Sequence, residues 1–315
     1  MFLLSVERLI FRIIFILAIF NIAMVYKKSI SIDVAGYAVC CFVGLLLMAL
    51  GQFYRISERS TRLGNVLTAS GLYVLFTIVG SIFNYVFLPI YFHPIDDILM
   101  RVDDLVGYSW PAVVTWAATY PWIGKTFYVV YMTSLPQLLV ILITLGFTGK
   151  EKELHSFLLT GTIGALLSIA FWVLFPTFGA KAYHTLPEWV LNAIPLAVDP
   201  AYGRELVRLG LEGVDHLSPA NILGLIGFPS FHIFMALMSV FFVPRHRLFI
   251  VVIGALNTLM FPAVLVQGGH HLSDVFGGMA CFAVAFPLSR YIVKTMSKTP
   301  VCNTAQQRPL GVAAD

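Results

Sequence analysis

The sequence predicts an all-α, polytopic membrane helical bundle with about eight transmembrane helices, and three observations support this fold class. The 315 residues are 59% hydrophobic and only 11% charged, whereas soluble domains carry about 25% charged residues. The hydrophobic residues form long runs, each near the roughly 20 residues that a helix needs to cross a bilayer. The basic residues outside these runs are distributed unequally over the two sides of the predicted membrane.

Eight hydrophobic runs are interpreted as spans. The first run follows two arginines, as in a signal peptide, but it lacks a small-residue cleavage site, so we interpret it as a retained anchor. Helices that face lipid are apolar on all sides, so helical periodicity adds little here. The spans lie at about 9–26, 34–54, 66–91, 122–147, 156–176, 222–243, 247–266 and 271–293.

Lysine and arginine residues predict the orientation. With eight spans, the side that holds both termini collects thirteen of these residues, and the other side has seven. This excess predicts that both termini are cytoplasmic and that the protein is a multi-pass protein of the cytoplasmic (inner) membrane. The bias accounts for most of the net charge of +4, and the sequence has no basic stripe that would indicate nucleic-acid binding.

Two outward segments, 92–121 and 177–221, are too long for simple turns. The first alternates acidic and apolar residues, a pattern typical of a short helix that lies on the membrane surface. Paired aspartates can also indicate a metal site, but no histidine or glycine turn organises them, so we favour a solvated amphipathic helix. The aspartates are Asp96, Asp97, Asp103 and Asp104.

A first polar cluster near the end of the chain is GFPSFHIFMAL. Because proline is tolerated in the first turn of a helix, Pro229 is predicted there, with Ser230 and His232 in the same turn at the outward end of the sixth span. From Pro229 to Pro244 such a helix measures roughly 22 Å, less than the bilayer core of about 30 Å. His232 is therefore expected below the outer membrane surface.

A second polar cluster, VQGGHHLSDVFGG, precedes the last span. His270 and Asp274 are four residues apart and share a helix face. The carboxylate can therefore hold one imidazole N–H and leave the other nitrogen free to attack. Gly268 and Gly269 allow an anion to approach a helix N-terminus, and His232 can protonate a leaving oxygen. This combination suits phosphorus chemistry and needs neither a metal nor a cofactor.

PSFH, followed some forty residues later by GGHHLSD, resembles the type 2 phosphatidic acid phosphatase superfamily of membrane enzymes. The resemblance covers about residues 156–293 and implies a phosphohistidine intermediate. It implies that His270 is the nucleophile, Asp274 its orienting partner and His232 the general acid. Ser230 would help to hold the phosphate.

The motifs differ from those of the phosphatase branch of that superfamily. Ala263 and Val264 stand where that branch has a Ser-Arg pair before the nucleophile. Phe231 replaces the glycine of its Pro-Ser-Gly-His motif, and its Lys/Arg-Pro phosphate clamp has no clean match. The chain looks closer to the inositol phosphorylceramide synthase-like (inositolphosphotransferase) branch, which includes the sphingomyelin synthases. The segment LFPTFG at 174–179 is also similar to that branch.

The resemblance suggests three parts of the chain. Residues 1–121 would contain the N-terminal spans and the external interfacial segment. Residues 122–296 would form the phosphatase/phosphotransferase-like catalytic helical core. Residues 297–315 are predicted to be a disordered cytoplasmic tail.

A phosphate group in a partly buried site needs cationic partners. The nearby candidates outside the spans are Lys181, Arg204 and Arg208, and the two arginines are four residues apart, so they can form one basic helix face. With Ser230 and Gly269, these cations complete the predicted phosphate-binding set. Each of the three can also be an interfacial anchor whose charged end reaches water.

Three functions are compatible with these residues. The first is a lipid phosphate phosphatase, which passes the phosphoryl group of a lipid phosphate or phospholipid to water. The second is a phosphotransferase that passes a phospho-headgroup to an alcohol. The third is a metal-binding membrane protein or transporter, which we disfavour because the polar residues are explained without metal. Its ligands would be His232, His270, His271 and Asp274. The substrate lipid and the oligomeric state stay open.

Overall fold

The computed structural model describes residues 3–297, and this part of the chain is an all-α bundle with very little strand structure. The predicted fold class is confirmed. The tail predicted to be disordered lies, from residue 298 onward, outside the described residues.

Thirteen α-helices lie within residues 3–297, together with two short strands and two short 3₁₀ turns. The helices are α1 Ser5–Lys28, α2 Val34–Ile56, α3 Thr61–Tyr85, α4 Asp96–Leu105, α5 Trp110–Thr119, α6 Pro121–Met132, α7 Ser134–Phe147, α8 Glu151–Leu174, α9 Glu188–Ala193, α10 Pro200–Glu212, α11 Phe231–Phe242, α12 Arg247–Gln267 and α13 Leu272–Met296. The strands are β1 Ser31–Ile32 and β2 His216–Leu217, which pair in parallel, and the 3₁₀ turns are Ala180–Ala182 and Pro219–Asn221.

Six of the described helices are long and apolar enough to cross a membrane, and each corresponds to a predicted span. They are α1, α2, α3, α8, α12 and α13. The fourth predicted span is instead a pair of helices, α6 and α7, that are bent by 44° at Thr133. Together the pair is long enough to count as one broken span or as a re-entrant loop.

The sixth predicted span, 222–243, differs most from the structure. Only α11 is helical there, and its 12 residues measure about 18 Å, which is shorter than the bilayer core of about 30 Å. The helix begins at Phe231 with Ser230 as its N-cap residue. The prediction that Pro229 lies in the first turn is therefore wrong, because Pro229 precedes the cap.

The chain before α11 does not continue the helix because its backbone amides are bonded to neighbouring segments. The Phe228 N–H donates to Thr177 Oγ1 at 2.7 Å. The Ser230 N–H donates to the Asp274 carbonyl oxygen at 3.0 Å. These bonds bring the start of α11 to the start of α13, so the two polar sequence clusters lie side by side.

α11 occupies the centre of the bundle, where it packs against α7, α8, α12 and α13. Ile233 and Phe234 are fully buried in these contacts. Since burying a large apolar side chain is worth about 1.5–3 kcal/mol, packing holds this short helix in place although its length is marginal for an isolated helix.

The three N-terminal helices form a closely packed unit. A Cβ atom on Gly71 of α3 would lie 2.6 Å from the Gly44 carbonyl oxygen of α2, so a larger residue at this crossing would push the helices apart. α1 lies against α3, where the Asn21 side chain donates to the Val79 carbonyl oxygen at 2.8 Å.

A buried ionic cluster joins the starts of α1 and α8 to the end of α2. The Arg55 guanidinium donates to both oxygens of Glu7, at 2.8 and 2.6 Å, and to Asn65 Oδ1 at 2.6 Å. His155 Nε2 lies 3.3 Å from Glu7 Oε1, and Glu7 is only 1% exposed. These four residues are called the Glu7 cluster below.

The Glu7 cluster lies at the end of the bundle opposite to the start of α13. Arg290, near the end of α13, forms an ion pair with Glu153, near the start of α8, at 2.7 Å. The two helices are therefore antiparallel, and the start of α8, which carries His155, lies far from the start of α13.

Candidate active site

His270 and Asp274 meet at the start of α13. His270 Nδ1 lies 2.8 Å from Asp274 Oδ2, and both side chains are buried. An ionised carboxylate only accepts hydrogen bonds, so Nδ1 carries a proton and donates it, while Nε2 is available for other contacts. The same carboxylate oxygen accepts the His271 backbone N–H at 3.0 Å. The pair therefore has the geometry that orients a histidine for attack.

Ser230 and His232, at the start of α11, face His270. Ser230 Oγ is 3.5 Å from His270 Nε2, the ring nitrogen that Asp274 leaves free. The ring centroids of His232 and His270 are 6.5 Å apart, with an interplanar angle of 64°. The structure thus brings together the predicted nucleophile, its orienting carboxylate, the predicted acid and the predicted phosphate-binding serine.

Tyr131 is part of this site and was missed in the sequence. Its ring stacks on His232 with centroids 4.2 Å apart, and its hydroxyl is 3.4 Å from His232 Nδ1. Tyr131 is the penultimate residue of α6, two residues before the break at Thr133. The polar pair Thr133 and Ser134 with nearby Pro136, inside an otherwise apolar run, was the available sign of that break.

Lys181 lies beside the motif that carries His270. It is 7% exposed, and its ammonium group donates to the Gly268 carbonyl oxygen at 3.1 Å. Among the described residues no carboxylate lies within salt-bridge distance of it. Burial lowers the pKa of Lys181 to about 8, although the charges of Asp274 and Asp96 act in the opposite direction. The lysine can hold an anion at this position.

The two predicted arginine clamps lie on the exposed side of α10, whereas Gly203 of the same helix packs against Lys181. Arg208 is paired with Glu205 at 2.6 Å and with Glu212 at 3.6 Å on an exposed face. Arg204 is exposed on the same helix. Of the three predicted cations, the structure places Lys181 against the motif.

The two glycines before His270 make room for the protein's own side chains. Gly269 has a φ of +63°, a left-handed conformation that favours glycine, and a Cβ atom there would lie 2.6 Å from Lys181 Cδ. A Cβ atom on Gly268 would lie 3.0 Å from His270 Nε2. The glycines therefore allow Lys181 and His270 to approach the same short stretch of backbone.

The expectation that the aspartates of α4 are all solvated is wrong, because two of them are buried. Asp96 is 1% exposed and Asp103 is buried, whereas Asp97 and Asp104 face outward. Asp96 and Asp103 are seven residues apart, so they lie on the same face of α4. This face turns toward the candidate site, and the regular spacing of the two acids was the signal in the sequence.

The buried aspartates bond to the loops that carry the site. Asp96 accepts the backbone N–H groups of Phe178 and Gly179, at 3.0 and 2.9 Å. Asp103 accepts the Leu272 backbone N–H at 3.2 Å. The sequence predicted that an anion binds at the N-terminus of α13, but the Leu272 N–H at that terminus is already bonded to Asp103.

The third hypothesis, a metal site, finds no supporting geometry in residues 3–297. No three side chains of His, Cys, Asp or Glu are grouped there in a way that could hold a metal ion. His270 and His271 bond to different carboxylates, Asp274 and Asp103, and do not converge on one point.

Comparison with known proteins places this arrangement in a family. The model of the PAP2 superfamily matches residues 97–288, more than half of the chain. The match begins in α4 and ends in α13, so it contains the two polar clusters and leaves out α1 to α3. No curated protein and no solved structure matches the chain.

Proposed function

Because the chain belongs to the PAP2 superfamily, we propose that it is a membrane-embedded phosphoesterase that forms a phosphohistidine on His270. The substrate is a lipid phosphate or phospholipid, since the site lies in a bundle of membrane-spanning helices. In its favoured form the enzyme is a lipid phosphate phosphatase, which passes the phosphoryl group to water.

The first step forms a bond between His270 Nε2 and phosphorus while the bond from phosphorus to the leaving oxygen breaks. Asp274 keeps the proton on Nδ1 and stabilises the positive charge that develops on the ring. The 2.8 Å contact between these residues holds the ring in the orientation that the attack needs.

His232, in its protonated form, donates a proton to the leaving oxygen in this step. Burial lowers the pKa of this ring, and the negative charge of the bound phosphate acts in the opposite direction. Tyr131 stacks on the His232 ring and holds its orientation. In the second step, His232 takes a proton from water while the water oxygen bonds to phosphorus and the bond to His270 breaks. The enzyme returns to its starting state.

The observation that carries this proposal is Lys181, a buried cation beside an oriented histidine. A buried charge is costly unless it is paired, and the described residues offer it only the Gly268 carbonyl oxygen and the face of Tyr202. A bound phosphate supplies the missing anion. Ser230, 3.5 Å from the attacking nitrogen, completes the phosphate contacts, and Gly269 shapes the backbone beside them. Arg204 and Arg208 stay predictions.

A second candidate function is a lipid phosphotransferase of the inositol phosphorylceramide synthase-like branch. It is favoured by Ala263 and Val264, which are fully buried where the phosphatase branch has Ser and Arg. The phosphohistidine would be the same, but a lipid or sugar hydroxyl would replace water as the acceptor.

The test is a rapid quench of purified protein with phosphorus-labelled lipid phosphates, with and without alcohol acceptors. We expect acid-labile, base-stable label on the protein, and its loss in His270→Ala. Release of free phosphate identifies the phosphatase, and label in a new lipid identifies the transferase. Label or near-normal turnover in His270→Ala contradicts the mechanism. Loss of activity in EDTA with recovery in zinc would revive the metal hypothesis.

The orientation is part of the proposal. The bias of basic residues supports cytoplasmic termini in the cytoplasmic membrane, with the site at the extracytoplasmic face. A reporter after Asp315 should behave as cytoplasmic and one near Leu217 as external. Reporters that lie on the same side contradict this arrangement.

A further inference from the structure

His271, the neighbour of the proposed nucleophile, is the centre of a buried cluster that the proposed reaction does not use. The side chain is 1% exposed. Its Nδ1 lies 2.9 Å from Asp103 Oδ2, and its Nε2 lies 3.4 Å from Asp96 Oδ1. Both ring nitrogens therefore face carboxylate oxygens.

The two contacts define the charge of the ring. A neutral imidazole has one N–H donor and one acceptor nitrogen, and only the imidazolium has two donors. An acceptor nitrogen that faces a carboxylate oxygen is repelled by it. Asp96 and Asp103 each already accept a backbone N–H. Burial raises the pKa of Asp103, and its hydrogen bond to His271 acts in the opposite direction. Carboxylate oxygens on opposite sides of His271, each acting as an acceptor, call for a doubly protonated ring.

The surroundings of His271 agree with this assignment. Burial lowers its pKa, but the hydrogen bond to Asp96, the charge of Asp274 and the hydrogen bond to Asp103 outweigh burial, so the pKa is raised above the ordinary value. The charged or titratable groups around it are Asp96 and Asp103 from α4, Asp274 from α13, and Lys181, Tyr183 and His184 from the segment between α8 and α9. The three carboxylates favour the cation, and the charges of Lys181 and of a protonated His184 oppose it.

The cluster joins α4 to both segments that carry the proposed reaction. Asp96 accepts the Gly179 N–H, at 2.9 Å, and the Tyr183 hydroxyl, at 3.1 Å, on either side of Lys181. On the other side, the His271 backbone N–H donates to Asp274 Oδ2, the oxygen that also orients His270. A movement of the His271 ring is thus transmitted to both segments.

We propose that His271, as an imidazolium held between Asp96 and Asp103, is a positioning residue that keeps Lys181 and His270 aligned for phosphoryl transfer. It touches neither the substrate nor the reacting atoms. The positioning role of His271 rests on the proposed function, but the charge of its ring can be measured independently of turnover.

The sign of the pH dependence follows from the cation. A histidine whose folded pKa is raised stabilises the fold fully below its unfolded pKa of about 6.5, and that stabilisation is lost as the pH rises through the folded value. Deprotonation leaves one ring nitrogen as an acceptor against a carboxylate. The bond between α4 and the site loops therefore weakens at alkaline pH.

The first experiment is a titration of ¹⁵N-histidine-labelled full-length protein in detergent by NMR, with His271→Gln to assign the signals. At pH 7, both ring nitrogens of His271 should be protonated. Asp103→Asn should lower the midpoint by about one to three pH units, because a close opposite charge has been removed. Asp104→Asn, the exposed neighbour, is the matched control and should leave the midpoint unchanged.

A neutral His271 at pH 7 overturns the proposal, whether or not turnover is found with any lipid. If Asp103→Asn fails to fold, Asp96→Asn with the exposed control Asp97→Asn makes the same measurement. An unchanged midpoint in the folded variant also overturns it.

The second experiment separates positioning from simple structural support. With a lipid phosphate that the wild type turns over, Asp103→Asn should lower kcat by tenfold or more and change KM less than twofold, measured where the variant remains folded. Asp104→Asn should match the wild type. Equal kcat in Asp103→Asn and wild type contradicts a positioning role. Absence of turnover in the wild type, with His271 charged, would instead count against the proposed function.

Discussion

Within residues 3–297 the bundle has two buried ionic clusters, one at each end, and they differ in how completely their polar atoms are paired. In the Glu7 cluster, Arg55 contacts both carboxylate oxygens, and Asn65 and His155 complete the network. At the start of α13, one oxygen of Asp274 accepts two hydrogen bonds, while the buried Oδ1 has no partner among the described residues.

This difference separates a cluster that needs no ligand from the proposed reactive site. Buried polar groups are nearly always paired in folded proteins, so an unpaired group needs a reason. The Glu7 cluster has its main charges neutralised internally and needs no ligand. The site at α13 keeps the Lys181 ammonium without a carboxylate partner in the described chain, and the proposed phosphate ligand would supply that partner.

Asp274→Asn should have the largest effect on activity. The amide keeps the size of the carboxylate but favours the wrong histidine tautomer, and the same change in a serine protease triad costs about 10⁴ in rate. We expect a loss of that order with a nearly unchanged thermal midpoint, and Ser273→Ala serves as the neighbouring control. A loss below tenfold would show that Asp274 does not orient His270.

Glu7→Gln should instead act on stability. Removal of one partner from a buried ion pair costs about 3–5 kcal/mol, because the other charge is left unpaired. Thermal unfolding in detergent should therefore occur at a clearly lower temperature, while kcat of the folded protein stays near that of the wild type. Glu151→Gln, at an exposed position of α8, is the control. A loss of kcat without a loss of stability would reverse the roles assigned to the two clusters.

Lys181→Met should lower activity about ten- to hundredfold, since charge-assisted hydrogen bonds to phosphate are worth roughly 1.5–3 kcal/mol. Stability should be unchanged or higher, because a buried ammonium without a carboxylate partner is replaced by an apolar side chain. Initial rates at about pH 6.5, below the lysine pKa of about 8, and thermal midpoints check both parts. Lys125→Met is the exposed control, and equal losses in the two variants would argue against a phosphate contact.

Tyr131→Phe should have a smaller effect. The stacking on His232 is kept and only the 3.4 Å hydroxyl contact is lost, which is worth about 0.5–1.5 kcal/mol, or about a two- to tenfold change in kcat. Tyr128→Phe, one turn earlier on α6, should match the wild type. Full activity of Tyr131→Phe would limit the role of Tyr131 to packing.

Arg208→Ala should have the smallest effect, less than about twofold on kcat/KM. Its charge is already shared with Glu205 and Glu212 on an exposed face, and surface ion pairs contribute little. A tenfold loss would support Arg208 as a phosphate-binding residue and would mean that its guanidinium leaves Glu205 and Glu212 when substrate binds.

The sequence was sufficient for features that depend on local spacing. The spacing of four residues predicted the contact of His270 and Asp274, but not its local structure, because His270 precedes the N-cap residue His271 and does not lie in the first turn of α13. The long apolar helices were predicted for a similar reason, because the length of each run is itself the signal. The proximity of PSFH and GGHHLSD came from a resemblance, which the structure supports through the 3.5 Å contact of Ser230 and His270.

Other features depend on contacts between distant segments and could not be predicted in this way. Asp96 and Asp103 were interpreted as solvated because acidic residues usually face water, and their partners lie more than 80 residues later in the chain. Tyr131 meets His232 across 101 residues. Such pairings depend on which helices pack against each other, and the hydropathy of the sequence does not predict that.

The Glu7 cluster also has a consequence for biosynthesis. Glu7 is separated from Arg55 by 48 residues and from His155 by 148, and the ribosome delivers the chain from its N-terminus. The carboxylate near the start of α1 therefore meets its arginine only after the end of α2 has been made, and its histidine only when α8 follows. α1 reaches its final packing only after α2 and α8, which follow it in the chain, have been made. Until then, the newly made α1 stays at the membrane without these two contacts. The sequence separations of Glu7 from Arg55 and from His155 determine how much more chain must be synthesised before the contacts can form.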